Sequence, residues 1–325
     1  AAPLVAAATL TVVDVDDSDV VTFSTNGVTS VGGTYGGAST PSNAVLDAMF
    51  TVTPTAPGAV PANTGDSLNV SWVFNSAAEA FDYLADGETL ILTYEVQADD
   101  VQGGITTYPV TITITGVNDD PTLSVEAGDS AAGGVTEDAV LIATGTLTGR
   151  DADESDTLAT TVTSATVTSG TAPAGITDLA GMMTLTPAAG LDAAITDTNN
   201  LTWTFDASTG TTPSTFDSLQ DSETVEITYV LTTSDGNGGT ETENVVVTVT
   251  GVNDAPTFVT VNDPAPVAEV VGDSSAQDLA AQTGTVDVSD LDVGDTLTMT
   301  EFNSAVAWSG GAAPAPLVTA LNGTA

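Results

Sequence analysis

Val225, Ile227, Tyr229 and Leu231 are apolar and the residues between them, Glu226 and Thr228 among them, are mostly polar. A period of two puts one row of side chains on each face of a strand. Leu90, Leu92, Tyr94 and Val96 repeat the pattern earlier in the chain. A second alternating run follows each of these, Val110, Ile112 and Ile114 in one case and Val245, Val247 and Val249 in the other. Thr and Val are abundant, Gly and Pro punctuate the runs, and no helical period is sustained. Together these features predict an all-β chain built from antiparallel β-sandwiches. Trp72 and Trp203, each followed two residues later by Phe, fall at inward positions of matching strands and are expected to fill cores.

The strands belong to a long repeat. "DVDDSDVV" (14–21), "DADESDTL" (151–158) and "DLDVGDTL" (290–297) align at spacings of 137 and 139. "NVSWVFN" matches "NLTWTFD", and "FDYLADGETLILTYEV" matches "FDSLQDSETVEITYVL", at about the same interval. "GVNDDPT" (116–122) and "GVNDAPT" (251–257) close two successive units. A fixed period of this kind marks an array of like modules. The expected units are residues 1–118, with the first strand partly missing, 119–253, complete, and 254–325, incomplete. The third would reach its tryptophan only near position 342. The chain reads as a window of a longer array or as a subunit whose neighbours donate the missing strands. The opening "AAPLVAAATL" has no basic n-region, so this stretch is not expected to be an intact signal peptide.

Charge narrows the possible partners. Forty-four acidic residues face one basic residue, Arg150, and there is no Lys, His or Cys, giving a formal net charge of −43. Such a chain repels phosphates and anionic headgroups, which argues against nucleic acid and membrane surfaces. No apolar run approaches the roughly 18 residues of a membrane helix. The absence of His, Cys and Lys removes the usual catalytic triads and most acid/base pairs, so an enzyme is not expected. A two-carboxylate glycosidase would need one unique cleft, whereas these carboxylates recur at repeat boundaries.

Clustered Asp, Glu and Asn oxygens suit Ca2+, which takes six to eight hard oxygen ligands. Two carboxylates about 4 Å apart repel by roughly 1 kcal/mol in water and about 4 kcal/mol at an effective dielectric near 20, so a cation would convert strain into attraction. An EF-hand is excluded: counted from Asp151, the positions for its Gly and Glu hold Asp156 and Val162. "GNGG" (236–239) reads as a hairpin turn. Asp19, Asp156 and Asp295 fit either a ligand or a turn former. Arg150 is read as exposed or paired with a carboxylate. Asn69, Asn200 and Asn322 open Asn-x-Ser/Thr sequons.

The ordered set "GTLTGRDADESDTL", "WTF", "DSETVEITYVLTTSDGNGG" and "VVVTVTGVNDAP" resembles the VCBS repeat of large bacterial surface proteins and adhesins and, more distantly, the cadherin domain. The resemblance covers essentially the whole chain. It implies tandem sandwiches of cadherin-like, Ig-like Greek-key type, with calcium at their junctions. The implied ligands at the first junction are Asp86, Glu88, Asn118 and Asp119 with Asp151, Asp153 and Asp235. At the second they are Glu137, Asp221, Glu223, Asn253 and Asp254 with Asp290 and Asp292. The third copy offers only Glu269 at the place of Glu137. Pro121 and Pro256 hold each connector extended.

The expectation is therefore an extracellular, secreted or cell-surface array, stiffened by calcium, that serves as an adhesin stalk or as a building block of a fibre or layer. Its partners would be neighbouring repeats or subunits of the same protein. Two alternatives remain: a module binding surface glycans or host or partner proteins, for which Trp308 is the candidate aromatic, and a filament subunit assembled by strand complementation.

Overall fold

The computed structural model describes residues 2–16, 19–54, 59–61, 63–79, 81–209, 216–262, 271–272 and 283–300. The chain divides into two compact units, Ala1–Phe216 with Thr224–Thr250, and Asp217–Glu223 with Gly251–Ala325. Trp308, Glu269 and Asn322 lie outside the described residues.

The first unit opens with β1 (Val5–Leu10), β2 (Val20–Gly33), a short helix α1 (Asn43–Ala48), β3 (Phe50–Thr53), β4 (Ala59–Pro61), β5 (Val70–Asn75), β6 (Thr89–Asp99) and β7 (Ile105–Thr115). These strands form two sheets, ordered β1-β5-β3 and β4-β2-β6-β7. There follow β8 (Thr122–Ser124), β9 (Ala132–Thr136), β10 (Ile142–Arg150), β11 (Thr157–Ser169), β12 (Met183–Thr186), β13 (Leu191–Asp192), β14 (Leu201–Asp206), β15 (Thr224–Ser234) and β16 (Thr240–Thr250). Their sheets are β12-β14-β10-β8 and β13-β11-β15-β16-β9. Among the described residues the two sandwiches repeat one plan, except that the second has β8 and β9 as additional edge strands. The second unit contributes β17 (Thr257–Asn262) paired antiparallel with β18 (Thr285–Ser289).

The alternation read from the sequence is the burial pattern observed. Leu90, Leu92, Tyr94 and Val96 of β6 are buried, as are Val225, Ile227, Tyr229 and Leu231 of β15. Facing rows from β7 and β16 complete each sheet's inner face. A buried phenol needs an acceptor. The Tyr94 hydroxyl donates to the Leu46 carbonyl at the end of α1 (2.9 Å), and the Tyr229 hydroxyl to the Leu179 carbonyl beside a 3-10 turn (3.0 Å). Both helical turns are too short for a periodic signal in the sequence.

Two features depart from the simple antiparallel expectation. The chain enters the second sandwich on one sheet through β8, then crosses to the other, so β9 runs parallel to β16 (Val246↔Ala132 to Thr250↔Thr136). The matching tryptophans also differ. Trp203 is fully buried, its indole N–H donating to the Ser130 carbonyl at 2.7 Å, whereas Trp72 is only partly buried and stacks on Phe50. Trp203 has room because a Cβ at Gly133 or Gly145 would approach its ring to 2.7 and 2.6 Å. The position matching Gly145 in the first sandwich is Ala8, and no strand corresponding to β9 covers Trp72 among the described residues.

Candidate metal centre

Each acidic cluster is a tight turn at the end of a strand. The Asp153 N–H donates to Asp151 Oδ1 (3.0 Å) and the Asp156 N–H to the Asp153 carbonyl (3.1 Å). The same pair of bonds recurs in Asp14–Asp16–Asp19 and in Asp290–Asp292–Asp295. The backbone N–H of Asp156, of Asp19 and of Asp295 thus closes the same turn in each copy, and the carboxylates of Asp156 and Asp295 accept from the Asn237 and Gln220 amides.

The connector docks onto this turn. At the first junction the Asp119 N–H donates to Asp153 Oδ2 (2.8 Å), and the Asn118 amide donates to Asp235 Oδ2 (3.0 Å) and to the Asp119 carbonyl (3.1 Å). Asp235 opens the β15–β16 hairpin turn, its Oδ1 accepting the N–H groups of Asn237, Gly238 and Gly239 at 2.7–3.1 Å. Asn118, Asp119, Asp151, Asp153 and Asp235 are therefore brought together. The remaining two residues implied there are placed differently. Asp86 is exposed, and Glu88 Oε2 accepts the Ala85 N–H at 3.1 Å, closing the turn before β6.

Within the second unit the same bonds reappear. The Asp254 N–H donates to Asp292 Oδ2 (2.9 Å), the Asn253 amide to the Asp254 carbonyl (2.8 Å), and the Gln220 N–H to Glu223 Oε2 (3.1 Å). Asp290 is tied to Asp292 by the turn, and Asp221 lies in the segment that Glu223 closes. Glu137, at the end of β9 in the first unit, is buried and held by its N–H to the Thr250 carbonyl (3.1 Å).

Electrostatics at the first junction are unfavourable for bare carboxylates. Asp153 is 1% exposed. Burial, with the charges of Asp151, Asp119 and Asp156, pushes its carboxyl up to about 6 against the partial relief of the Asp119 N–H. Burial likewise raises Asp151, with Asp156 and Asp235 adding to the effect, and raises Asp119. Asp235 is also pushed up by burial, but its hydrogen bonds from Asn118 and the hairpin backbone outweigh this and leave it below the usual range. Three buried oxygens have no hydrogen-bond donor: Asn118 Oδ1, Asp151 Oδ2 and Asp153 Oδ1. Asp292 Oδ1 is in the same position in the second unit. Arg150 cannot supply the missing positive charge, since its guanidinium pairs with Glu126 (3.2 Å) and donates to the Asp197 carbonyl (2.7 Å). Among the described residues no group of three or more carboxylates has the geometry to hold a metal ion outright. The donor set nonetheless fits a hard cation, because its unsatisfied atoms are all oxygens from Asp and Asn.

A second contact joins the same two sandwiches. Glu154, next to Asp153, accepts hydrogen bonds from the Tyr35 hydroxyl and from the Ala38 and Ser39 N–H groups (3.2 Å each). Its own N–H donates to the Tyr83 carbonyl (3.2 Å), and the Tyr35 and Tyr83 rings lie 4.8 Å apart. The Val293 N–H donates to the Ser218 carbonyl in the matching way (3.2 Å), without the aromatic and acidic side chains.

No protein-family profile and no curated protein matches the chain. Solved structures do. The protocadherin GammaB4 extracellular domain aligns over 90% of this chain and 40% of its own at 13% identity, TM-score 0.34. Human CDH23 EC21-23 aligns over 88% and 78% at 13% identity, TM-score 0.34. CfaE, the adhesive subunit of the CFA/I fimbria of enterotoxigenic Escherichia coli, aligns over 57% and 63% at 10% identity, TM-score 0.32. The chain spans less than half the length of the protocadherin GammaB4 structure.

Sequence reasoning did not find the Glu154 contact. Tyr35 is 119 residues from Glu154, and the only hint was Tyr83 standing where the next repeat has Ser218. It also missed Asp129, whose carboxylate gathers Thr146, Thr148 and Asn199 and is held below its usual range by them against the effect of burial. The sequon residues Asn69 and Asn200 bridge strands, each accepting from and donating to the backbone of one residue, Val12 and Gly149.

Proposed function

We propose that the chain is a non-catalytic, extracellular array of three β-sandwich repeats, 1–118, 119–253 and 254–325, whose junctions bind calcium and are stiffened by it. The reading makes it a stalk or a building block of a surface fibre or layer, with neighbouring repeats as its partners. The observation that carries it is the trio of buried, donor-free oxygens on Asn118, Asp151 and Asp153. Leaving such atoms unsatisfied costs about 1–3 kcal/mol each, more where they are charged. In a chain with one already paired basic residue, a proton or a cation must offset that cost. Bound calcium would supply positive charge where burial has raised the carboxyls. Asp151, Asp153, Asn118, Asp119 and Asp235 would hold it at the first junction, with Asp86 and Glu88 reached by side-chain rotation. Glu137, Asp221, Glu223, Asn253, Asp254, Asp290 and Asp292 would serve the second. Millimolar extracellular calcium suits weak sites of this kind.

The test is a calorimetric melt in millimolar calcium, in magnesium and in chelator, for the native chain and for Asp151→Asn with Asp153→Asn. A calcium-specific rise in melting temperature that the double substitution blunts is expected. Identical melts in all three buffers would overturn the reading.

A further inference from the structure

We infer that the Asn237–Gly238 peptide is a self-modification site: the Asn237 side chain closes on the Gly238 nitrogen, sheds its amide and leaves an aspartate or isoaspartate in the turn that serves the first junction. The inference is independent of calcium and begins from the β15–β16 hairpin. There Asp235 Oδ1 collects the N–H groups of Asn237, Gly238 and Gly239, while its Oδ2 accepts from the Asn118 amide of the connector. The first sandwich builds the same turn between β6 and β7, where Asp100 Oδ1 accepts from the Gln102 N–H (2.7 Å) and the Gly104 N–H (2.8 Å). Both turns hold a glycine at a positive φ that strains any other residue, Gly238 at +121° and Gly103 at +110°. The turn therefore fixes glycine as the following residue, and glycine obstructs a ring-closing side chain least. The residue before it differs between the copies, Asn237 in one and Gln102 in the other. Asparagine closes a five-membered ring on the next nitrogen, whereas glutamine needs a six-membered ring and reacts far more slowly.

The step balances with water alone. The Gly238 nitrogen gives its proton to solvent base and bonds to Asn237 Cγ, the Cγ–Nδ2 bond breaks, and ammonia leaves with a proton from water. Water then opens the resulting succinimide. Breaking its Cγ–N bond gives aspartate, and breaking the bond from the Asn237 backbone carbonyl carbon to that nitrogen gives isoaspartate, which carries the chain through Cγ.

Packing separates this site from Asn26–Gly27, the other Asn-Gly step among the described residues. Both asparagines are exposed, and each donates its amide to a carboxylate, Asn237 to Asp156 Oδ2 (2.7 Å) and Asn26 to Glu95 Oε1 (2.6 Å). A Cβ at Gly27 would lie 2.6 Å from Asp47 Oδ1, the oxygen that accepts the Val28 N–H (2.6 Å), so that peptide is wedged in a bulge of the β2–β6 ladder. Nothing lies within 4 Å of the same point at Gly238. Its peptide can swing toward the side chain once the bond to Asp235 opens, a local event at a hairpin tip. The product replaces the amide that Asp156 accepts by a second carboxylate, turning a hydrogen bond between the hairpin and the acidic turn into a repulsion. Isoaspartate also adds a methylene to the backbone of a turn whose N–H groups converge on one oxygen of Asp235.

The experiment incubates the native chain in chelator at mildly alkaline pH and reads each asparagine by fragmenting the intact chain in a mass spectrometer, with isoaspartate counted by an isoaspartyl methyltransferase. Conversion at Asn237 should run at least about tenfold faster than at Asn26, a ratio that a modest difference in barrier produces. It should quicken as pH rises, because the attacking nitrogen must lose its proton, and it should yield isoaspartate. Asn237→Gln, which copies the turn of the first sandwich, should abolish conversion at this position. Asn237→Asp, the product without the backbone change, should melt below the native chain in chelator. Conversion at Asn237 no faster than at Asn26 would overturn the site, and an Asn237→Asp melt equal to or above the native one would overturn its effect on the junction. Because every arm is run without calcium, its failure is distinct from failure of the calcium reading.

Discussion

Glu154 and Tyr35 should couple the first two sandwiches without any metal. The Glu154 carboxylate takes three hydrogen bonds from the other sandwich, from the Tyr35 hydroxyl and the Ala38 and Ser39 N–H groups. Hydrogen bonds to a charged group contribute about 1.5–3 kcal/mol when shielded. Glu154 is partly exposed, so screening reduces the Tyr35 share to about 1 kcal/mol. Tyr35→Phe keeps the ring beside Tyr83 and removes only the donor, while Glu154→Gln keeps the shape and removes the charge. In a double-mutant cycle read by urea titration in chelator at neutral pH, the coupling energy should be about 1 kcal/mol. It should be unchanged when calcium is added. Additivity within about 0.5 kcal/mol, the behaviour of independent sites, would refute a direct bond. The pH dependence gives a second reading. The Tyr35 hydrogen bond, partly opposed by burial, holds Glu154 below its ordinary 4.5. The coupling is therefore present above pH 4.5 and lost as pH falls through the lower folded value.

Asp153 should behave with the opposite sign. Its folded pKa, about 6, lies above the ordinary 3.8, so in chelator its neutral form favours folding below pH 3.8 and that contribution is lost as pH rises through 6, by about 3 kcal/mol at 1.36 kcal/mol per unit. A calorimetric pH series should show melting temperature falling across that window in chelator and levelling with calcium; a flat chelator profile would contradict the buried-charge argument. Gly145→Ala should destabilise the second sandwich by about 1–3 kcal/mol in urea, since its Cβ would meet the Ser130 carbonyl and the Trp203 ring at 2.6 Å, whereas Ala8 at the matching place is exposed. Tryptophan emission would follow the loss, and a variant as stable as the native chain would show that the ring shifts freely.

The strands most legible in the sequence are those whose burial their own alternation decides. β6, β7, β15 and β16 are long enough to show a period of two, and their inward rows fill the cores as expected. β8 spans three residues and β9 contains two glycines, too little for a period to register, so the crossover and its parallel pairing were not readable. The same gap explains Trp72. A tryptophan's place in a strand predicts which face it points to, but the degree of burial depends on what lies across that face, and Gly133 and Gly145 perform that role only in the second sandwich. The junction was legible in its backbone logic, because Asn-Asp before Pro and Asp-x-Asp after it recur with the same hydrogen bonds.

Side-chain roles within a run of acids were less readable, because position in the turn and not charge sets what each carboxylate meets. In "DADESD" the charge pattern is uniform, yet Asp151 and Asp153 point inward, Asp156 closes the turn, and Glu154 reaches the other sandwich. The backbone contact beneath Glu154 is common to both copies, since the Glu154 N–H meets the Tyr83 carbonyl as the Val293 N–H meets that of Ser218. What differs is only the side chains placed on this shared backbone. A repeat can thus keep its connector geometry fixed while residues one position from the acidic turn adjust the strength of the joint.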